Sequence, residues 1–268
     1  MPHLTYPVFD PIALHLGPLE IRWYALAYIA AILIGWFYAA RALKNERLWA
    51  VGQPRPTVQH FDDVIVFITL GVVLGGRIAY VLFYDPMRFM QEPWEIPAIW
   101  HGGMSYHGGF VGALLAIIIF AKAKKTPALT MLDVAAAAAP LGSLFGRIAN
   151  FIKPELWGRP SDAYIAMVFP GAGSQPRHPS QLYQAALEGL LLFIILQIIV
   201  KKGGFKRPGL VAGYYGAGYG ITRIIGEFFR EPDPQLGFIF GGVATMGMLL
   251  SIPMILAGGW LILKARAK

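Results

Sequence analysis

The sequence contains no cysteine and only a small share of charged residues. The absence of cysteine excludes disulfides, thiolate metal sites and a cysteine nucleophile in this chain. Only 14% of the 268 residues are charged and 56% are hydrophobic, whereas an average soluble domain is about one-quarter charged. With a mean hydropathy of +0.53, this composition indicates a membrane protein with several spans.

Basic residues are also missing from the start of the chain, because residues 1–18 contain no Lys or Arg. A cleavable signal peptide begins with a positively charged segment, so we expect the first apolar segment to be an uncleaved anchor. Internal repeats, low-complexity tracts and a soluble domain are not visible in the sequence. We therefore expect residues 1–268 to form a single polytopic membrane domain.

Long apolar segments determine the predicted fold class. A membrane-spanning helix needs about 20 mostly apolar residues. Seven segments of the sequence fit this requirement: 19–41, 60–83, 106–122, 129–152, 180–200, 209–229 and 239–263. The sequence thus predicts an all-α integral membrane protein with seven transmembrane helices.

The net charge of +8 is concentrated in alternate connections between these segments. The basic connections are 42–59, 122–125, 201–207 and the tail 264–268. By the positive-inside rule, the N-terminus lies outside and the C-terminus lies in the cytoplasm. The charge is therefore interpreted as a topology signal and not as a nucleic-acid-binding surface. The longest of the other connections, 153–179, is rich in Pro and Gly and is predicted to form a loop region on the outer face.

Three arginines lie late in spans that run from inside to outside. Arg77 and Arg147 each follow an inner-boundary aspartate, Asp63 or Asp133, by 14 residues, which is about 21 Å of helix. Arg223 reaches a similar depth in the sixth span. Because the hydrocarbon core is about 30 Å thick, all three guanidiniums are predicted to lie in its outer half. A charge at that depth is costly and tends to mark function, although a single arginine such as Arg77 can also snorkel to the interface.

Two oppositely directed spans bring further polar groups to the same layer at their starts. Tyr24 ends the stretch 21-IRWY-24, and His107 lies in 101-HGGMSYHGG-109. Glycine permits close approach of backbone to a ligand, so His107 is a candidate proton carrier or headgroup contact, with a structural role as the alternative. For His101, which follows a tryptophan, we favour an interfacial role.

Polar residues on helical faces strengthen the case for a site. Arg147 and Asn150 are three residues apart and share one face. The sixth predicted span carries a polar stripe at helical spacing, formed by Tyr219, Arg223, Glu227 and Arg230. For the pair Arg223–Glu227, the alternative interpretation is a purely structural ion pair. For the glycines of this span, the alternative interpretation is that they allow close helix packing.

Arginine suits phosphate because its planar fork binds two oxygens at once. Several arginines at outer-leaflet depth therefore favour recognition of an anionic lipid headgroup. An anion transporter is the second interpretation, but transporters carry polar groups along the whole depth and often have paired halves. A scaffold that binds lipid without turnover is the third.

The stretch 146-GRIANFIKPELWGRP-160 resembles the signature of bacterial prolipoprotein diacylglyceryl transferases. Further matches to that family cover nearly the whole chain: 21-IRWYALAY-28, 75-GGRIAYVLFY-84, 101-HGGMSYHGG-109, 177-RHPSQLYQAALEG-189 and 219-YGITRIIGEFFREPD-233. The resemblance implies a seven-span enzyme of the bacterial inner membrane. Such enzymes transfer diacylglycerol from phosphatidylglycerol to the lipobox cysteine of a preprolipoprotein, which yields a thioether and glycerol 1-phosphate.

The resemblance also assigns roles to residues. Those carried over as catalytic are His107, Arg147 and Arg223. Those carried over as substrate-binding are Tyr24, Asn150, Glu155, Gly158, Tyr219 and Glu227. Arg77 is added to this substrate-binding set because of its depth in the second span. The chain departs from the family pattern at Lys153, where Asn is common, and at His101, where Asp is common. For the base that deprotonates the thiol, His107, Glu155 and a phosphate oxygen of the substrate remain open.

The expected partners are phosphatidylglycerol, the signal peptide of a preprolipoprotein with its lipobox cysteine, and membrane lipids, with no nucleic acid among them. No metal site is predicted, since the acids and histidines do not group at ligand spacing. No cofactor is expected, because the phospholipid ester already carries a leaving group. The active site is predicted to face the outer leaflet of the inner membrane.

Overall fold

The computed structural model describes residues 3–232, 237–239, 242 and 244–267, and of Tyr106 and His107 the backbone alone. Near the N-terminus, β1 (Ile12–Leu16) and β2 (Leu19–Arg22) form an antiparallel hairpin. Gly17 lies in the turn with a φ of 59°, a left-handed conformation that glycine adopts without strain. This hairpin corrects the prediction that the first span begins at residue 19, since the apolar residues before Trp23 belong to a strand.

The rest of the described chain is mainly helical. Its helices are α1 (Trp23–Lys44), α2 (Val58–Phe83), α3 (Pro86–Gln91), α4 (Tyr106–Ala123), α5 (Ala128–Ile152), α6 (Ser180–Lys201), α7 (Leu210–Glu227) and α8 (Met246–Arg266). The predicted spans 60–83, 106–122, 129–152, 180–200 and 209–229 agree with helices α2, α4, α5, α6 and α7 to within two residues. The last helix begins at Met246, seven residues later than predicted.

Five helices of the described chain, α1, α2, α5, α6 and α8, are long and apolar enough to cross a membrane. Helix α4 adds a shorter apolar segment, Gly108–Ala123. Large aliphatic side chains such as Leu74 and Leu256 are 58% and 68% exposed on the outside of the bundle. Apolar outer faces are what a lipid environment requires, so the fold is that of a mostly helical, multi-pass membrane protein. The count of seven spans and their orientation stay predictions.

Glycines allow α2 and α4 to pack almost backbone to backbone. Gly71 and Gly75 on α2 face Gly108 and Gly112 on α4, each pair being four residues apart. A Cβ on Gly71 would lie 2.5 Å from the Gly112 carbonyl oxygen, and a Cβ on Gly75 would lie 2.9 Å from the Gly112 Cα. This spacing of small residues is a common device for close helix contacts in membranes.

Helices α7 and α8 pack against each other through glycines in the same way. A Cβ on Gly213 would lie 2.9 Å from the Gly258 carbonyl oxygen, and one on Gly258 would lie 2.6 Å from that of Gly213. Close helix packing, the alternative considered for the glycines of this span, therefore accounts for Gly213.

Helix α5 is the central element, since it contacts α1, α4, α6 and α7. Its fully buried residues Met131 and Val134 pack in the main apolar core with Leu196 of α6 and Phe205 of the following turn. Because α5 is surrounded, polar side chains near its C-terminal end are directed at neighbouring helices and not at lipid. Arg147 and Asn150 are in that end of the helix.

Segment 153–179 covers the same end of the bundle. Tyr6, Phe151, Met167 and Phe169 form a small buried cluster beneath it. The Tyr6 hydroxyl donates a 2.7 Å hydrogen bond to the Phe151 carbonyl, and burial raises the pKa of Tyr6. Met167 and Arg177 exchange backbone hydrogen bonds across the segment. The loop is therefore tied to the bundle beside the C-terminal end of α5.

Candidate active site

Arg147 and Arg223 converge on one carboxylate, that of Glu188. Arg147 Nη2 is 3.4 Å from Glu188 Oε2, and Arg223 Nη1 is 3.6 Å from Glu188 Oε1. Glu188 is fully buried. A carboxylate in this position balances two guanidiniums that would otherwise repel each other at low dielectric. Helices α5, α6 and α7 thus meet through one charged network.

A π-helical turn, Ala185–Leu191, presents Glu188 to this network. Such turns are rare and frequently occur at functional sites. Gly189 faces α5 beside it, and a Cβ there would lie 2.7 Å from the Leu144 Cα. The close approach of α5 and α6 at this point brings Glu188 within reach of Arg147.

A second buried carboxylate, Glu227, continues the network. Its Oε1 forms ion pairs with Arg223 Nη2 and, at 3.3 Å, with Arg230 Nη1, and its Oε2 accepts a 2.6 Å hydrogen bond from Thr245. A Cβ on Gly247 would lie 3.1 Å from Arg223 Nη2, so a small residue is needed for α8 to begin here.

The charges of the network do not cancel. Among the described residues, three guanidiniums, from Arg147, Arg223 and Arg230, face the two carboxylates of Glu188 and Glu227, which leaves one net positive charge in this part of the network. The carboxylates are fully buried, whereas the side chains of Arg147 and Arg223 are 17% and 14% exposed. The accessible side of the network is therefore cationic, and it is suited to a phosphate.

Asn150 organises a neighbouring polar cluster. Its amide donates to Glu155 Oε1 at 2.7 Å and to the Tyr24 hydroxyl at 3.4 Å. Lys153 Nζ lies 2.7 Å from Glu155 Oε2 and 5.6 Å from the centre of the Tyr24 ring. Lys153, where the chain departs from the family pattern, therefore neutralises Glu155.

The backbone that carries Glu155 is constrained from both sides. Leu156 has a φ of 57°, a left-handed conformation that costs a branched side chain energy and often marks a functional region. Its carbonyl accepts a 3.0 Å hydrogen bond from Ser180, and the Glu155 carbonyl accepts one of 2.7 Å from Gln181. These bonds fix Glu155 against the start of α6.

Gly158 lies where the loop 153–179 crosses the end of α7. A Cβ there would lie 2.5 Å from the Phe229 carbonyl oxygen and 2.6 Å from the His178 Cβ, so only glycine fits. Next to it, Arg159 donates to the backbone carbonyls of Glu227 at 2.9 Å and Arg230 at 3.0 Å. The loop therefore holds the backbone from which Glu227 and Arg230 extend.

Comparisons with known proteins show the family of this chain. The family model for prolipoprotein diacylglyceryl transferase matches residues 11–264. A phosphatidylglycerol--prolipoprotein diacylglyceryl transferase of Methylocella silvestris is 56% identical over 255 residues, covering 95% of this chain and 93% of that protein. A protein of the same name from Beijerinckia indica is 54% identical, covering 98% of this chain and 96% of its own length. The chain belongs to the prolipoprotein diacylglyceryl transferase family.

Residues 146–160 carry the family signature seen in the sequence. They form the junction between α5 and the loop 153–179. The structure brings its Arg147, Asn150 and Glu155 to adjoining positions. Tyr219 lies one helical turn before Arg223 on α7, is 3% exposed and contacts the ring of Tyr215. These predicted site residues thus come from two helices, α5 and α7, and one loop, and their roles stay predictions.

Arg77 belongs to a different network. All five of its N–H donors are used by backbone carbonyls, those of Glu95, Ile96, Ala98, Gly102 and Gly103, at 2.5–3.3 Å. Its side chain is buried against the ring of Phe89. A substrate phosphate would have to displace one of these carbonyls, so the predicted substrate-binding role of Arg77 is not supported by its contacts.

His107 lies in the first turn of α4, and its side chain lies outside the described part of the structure. Ser105 caps this helix by accepting a 3.2 Å hydrogen bond from the Gly108 amide. His101 is the second departure from the family pattern. Its Nδ1 lies 2.9 Å from Glu95 Oε2, and this hydrogen bond lowers the pKa of Glu95. Glu95 in turn belongs to the segment that Arg77 holds.

Sequence reasoning missed Glu188, although it lies within a stretch that matched the family. The available signal was a lone carboxylate among apolar residues of a predicted span, which needs a partner at membrane depth. It also missed Gln184, whose amide N and O are both buried and make no hydrogen bond within the described part of the protein. Gln184 is one turn before Glu188, so it adds unsatisfied polar atoms next to the network.

Among the described residues, no group of three or more His, Cys, Asp or Glu side chains is arranged to hold a metal ion. The prediction that neither metal nor cofactor takes part in the reaction stays a prediction. His178, at the loop junction, is 3.1 Å from the Tyr183 hydroxyl through Nδ1, and burial lowers its pKa. A neutral imidazole at this junction is compatible with a structural role beside Gly158.

Proposed function

We propose that the protein transfers the diacylglyceryl group from phosphatidylglycerol to the lipobox cysteine of a preprolipoprotein. The observation that carries the proposal is the pair of accessible guanidiniums, Arg147 and Arg223, backed by the buried Glu188 in a member of this family. The relatives from Methylocella silvestris and Beijerinckia indica carry the name of this activity.

In the proposed reaction the cysteine sulfur attacks the carbon of the diacylglyceryl group that is bonded to the phosphate oxygen. A C–S bond forms, the C–O bond to the phosphate breaks, and glycerol 1-phosphate leaves with the bonding electrons. Negative charge grows on the departing phosphate, where Arg147 and Arg223 are placed to stabilise it. Glu188 and Glu227 hold these guanidiniums in a fixed geometry, so little reorganisation is needed during the reaction.

The thiol must lose its proton, since its free pKa is about 8.5. His107 is the first candidate for the base. Glu155 is already engaged by Asn150 and Lys153, which makes it the weaker candidate. A phosphate oxygen of the lipid is the remaining one. In each case the proton moves from sulfur to the accepting atom as the C–S bond forms.

The other family residues are proposed to position the substrates. Asn150 and Tyr24 form one wall beside Arg147, and Tyr219 lies one turn from Arg223. Gly158 and Glu227 act through the loop and the arginines that they hold in place. For Arg77 the contacts favour a positioning role, because it fixes the segment that leads into α4 and His107.

We further propose a seven-span protein of the bacterial inner membrane, with the N-terminus outside and the C-terminus in the cytoplasm. Basic connections at one face and the network at the opposite end of the helices support this orientation. The site would then face the outer leaflet, where the signal peptide of an exported preprolipoprotein reaches it.

A reconstituted assay tests the activity. Purified protein is incubated with phosphatidylglycerol and a lipobox peptide that contains one cysteine, and mass spectrometry detects the diacylglyceryl thioether. We expect the product to vanish with a Cys→Ser peptide and to fall about a hundredfold to a thousandfold in Arg147→Ala, because a fixed hydrogen-bond donor at a developing anion contributes about 2.7–4 kcal/mol. Arg22→Ala, which removes an exposed arginine of β2, should retain activity.

The competing interpretations make different predictions for the same preparation. A lipid-binding scaffold would retain phosphatidylglycerol but form no thioether with folded wild-type protein. A transporter would carry anions across vesicles in a manner that depends on Arg147. Either result in the absence of thioether would overturn the transferase proposal.

A further inference from the structure

A second cationic feature lies at the end of the bundle opposite the candidate active site. A cavity of about 540 Å³ is bordered by the ends of α6, α7 and α8 and by the α1–α2 connection, a volume within the range of about 300–1,000 Å³ for ligand pockets. Six cationic side chains line it: Arg47, Lys201, Lys202, Lys206, Arg207 and Arg266. Lys201 lies 13 residues after Glu188, about 20 Å along the helix.

These six cations lack acidic partners. In the described part of the chain, none of them forms an ion pair with a carboxylate within 4.0 Å. The acids of this face are engaged elsewhere, since Glu46 pairs with Arg55 at 3.8 Å and Asp63 pairs with Lys124 at 3.7 Å. Bringing like charges together around one cavity costs free energy that a bound anion would recover.

The base of the cavity is a well-ordered turn. Phe205 is fully buried, stacks on Trp49 with ring centres 4.9 Å apart, and accepts a 2.8 Å hydrogen bond at its carbonyl from Gln53. Asp133 accepts a 2.7 Å hydrogen bond from the Gly209 amide at the start of α7. Packing and hydrogen bonds therefore hold in place the backbone that carries Lys201, Lys206 and Arg207.

One wall of the cavity is apolar. Ile199 and Leu210 line it beside the ring of Tyr214. Arg266 donates a hydrogen bond to the Tyr214 hydroxyl and packs over its ring, so α8 closes the side. Cations next to aliphatic side chains at a membrane boundary match a phospholipid, with its phosphate above its first acyl carbons.

We propose that this cavity binds the headgroup of an anionic phospholipid from the leaflet at this face, with the phosphate held among Lys201, Lys206 and Arg207. By the positive-inside rule this is the cytoplasmic leaflet. The site is separate from the Arg147–Arg223 network and does not depend on the transferase activity. A soluble phosphate has the same headgroup chemistry, but it would make no use of the apolar wall.

Photolabelling tests the proposal. Full-length protein is placed in phosphatidylcholine vesicles that contain phosphatidylglycerol with a diazirine on the first carbons of one acyl chain. After illumination, chymotryptic peptides are mapped by mass spectrometry, because the substitutions below remove tryptic sites. We expect strong labelling within residues 199–214, and little when the diazirine is on phosphatidylcholine. The triple variant Lys201→Gln, Lys206→Gln, Arg207→Gln should lower this labelling at least about tenfold.

A matched variant removes the same charges from the same face outside the cavity. Arg41→Gln, Lys44→Gln, Lys122→Gln should change the labelling of 199–214 by less than about twofold. The charge-retaining variant Lys201→Arg, Lys206→Arg, Arg207→Lys should label like the wild type, which separates loss of charge from loss of folding. Equal losses in the two Gln variants would show only a general surface attraction and overturn the site. Labelling abolished by millimolar inorganic phosphate would overturn the lipid as occupant.

Discussion

Glu188 is the residue through which the arginines of two helices act as one group. It faces Arg147 of α5 and Arg223 of α7 while being fully buried. Sequence patterns identified both arginines, because a charge in an apolar span is conspicuous. They did not identify their shared partner, because which carboxylate lies between two helices depends on how those helices pack.

Replacing Glu188 tests this arrangement at the residue scale. Glu188→Gln keeps the size of the side chain but removes the charge that balances both guanidiniums. Loss of one partner from a buried ion pair costs about 3–5 kcal/mol, so we expect a lower unfolding temperature and a drop of about a hundredfold or more in thioether formation. Both are measured on purified protein in detergent.

Glu20→Gln is the control for that change, since Glu20 pairs with Arg22 on the exposed hairpin. Exposed pairs contribute about 0–1 kcal/mol, so this variant should behave like the wild type. Normal stability and activity in Glu188→Gln would contradict the role given to this carboxylate.

Arg77 has contacts that the sequence pattern did not predict, and its predicted depth and role stay predictions. Its depth in α2 suggested a headgroup contact or a side chain that snorkels to the interface. Its guanidinium is instead buried and donates to five backbone carbonyls between Glu95 and Gly103. This segment contains only two short 3-10 turns, and one arginine donates to five of its carbonyls, of which those of Glu95 and Ala98 also accept backbone hydrogen bonds.

At the scale of elements, the helix boundaries followed from hydropathy and from the flanking polar residues. Helices α4, α5 and α6 begin and end within one residue of the predicted spans. The hairpin β1–β2 was missed, because Leu19 and Ile21 were read as the start of the apolar segment of α1, although Glu20 and Arg22 alternate with them as in a strand. The π-helical turn of α6 was also missed. It lies where Gly189 packs against Leu144 of α5, a contact between residues far apart in the chain.

The glycine contact between α2 and α4 permits a test at this scale. A Cβ at Gly112 would overlap the Gly71 carbonyl oxygen. Gly112→Ala must therefore separate the two helices, and we expect a loss of about 1–3 kcal/mol in the free energy of unfolding. Thermal unfolding followed by tryptophan fluorescence in detergent measures it.

Gly259→Ala provides the comparison for Gly112, because a Cβ at that position of α8 meets no atom within 4 Å. In a helix this change should be neutral or stabilise by about 0.5–1 kcal/mol. Equal unfolding temperatures for the two variants would mean that α2 and α4 do not need this close contact.

At the scale of the whole molecule, two cationic sites lie at opposite ends of the helices. The network around Glu188 is covered by the loop 153–179, and the cavity around Lys201 lies beside the basic connections. The distribution of Lys and Arg predicts which end faces the cytoplasm. The packing of α5 against α1, α4, α6 and α7 determines which polar side chains meet inside the bundle.

The absence of cysteine makes the orientation directly testable. Single cysteines at Ser174 in the outer loop and at Val51 in the α1–α2 connection would be the sole thiols of the chain, and both positions are exposed. In intact spheroplasts, a membrane-impermeant maleimide should label Ser174→Cys but not Val51→Cys. After permeabilisation both should react. Labelling in the reverse order would invert the topology and place the network at the cytoplasmic face.

The sequence by itself determined the membrane class, the positions of the long helices and the family, because apolar runs, basic connections and ordered motifs are local properties of the chain. It also identified Arg147, Asn150, Glu155 and Arg223 as site candidates. Tertiary structure alone decided that Glu188 links the arginines, that Lys153 neutralises Glu155, and that Arg77 serves a backbone segment. These outcomes depend on distances between groups far apart in the chain, which are set when the helices pack.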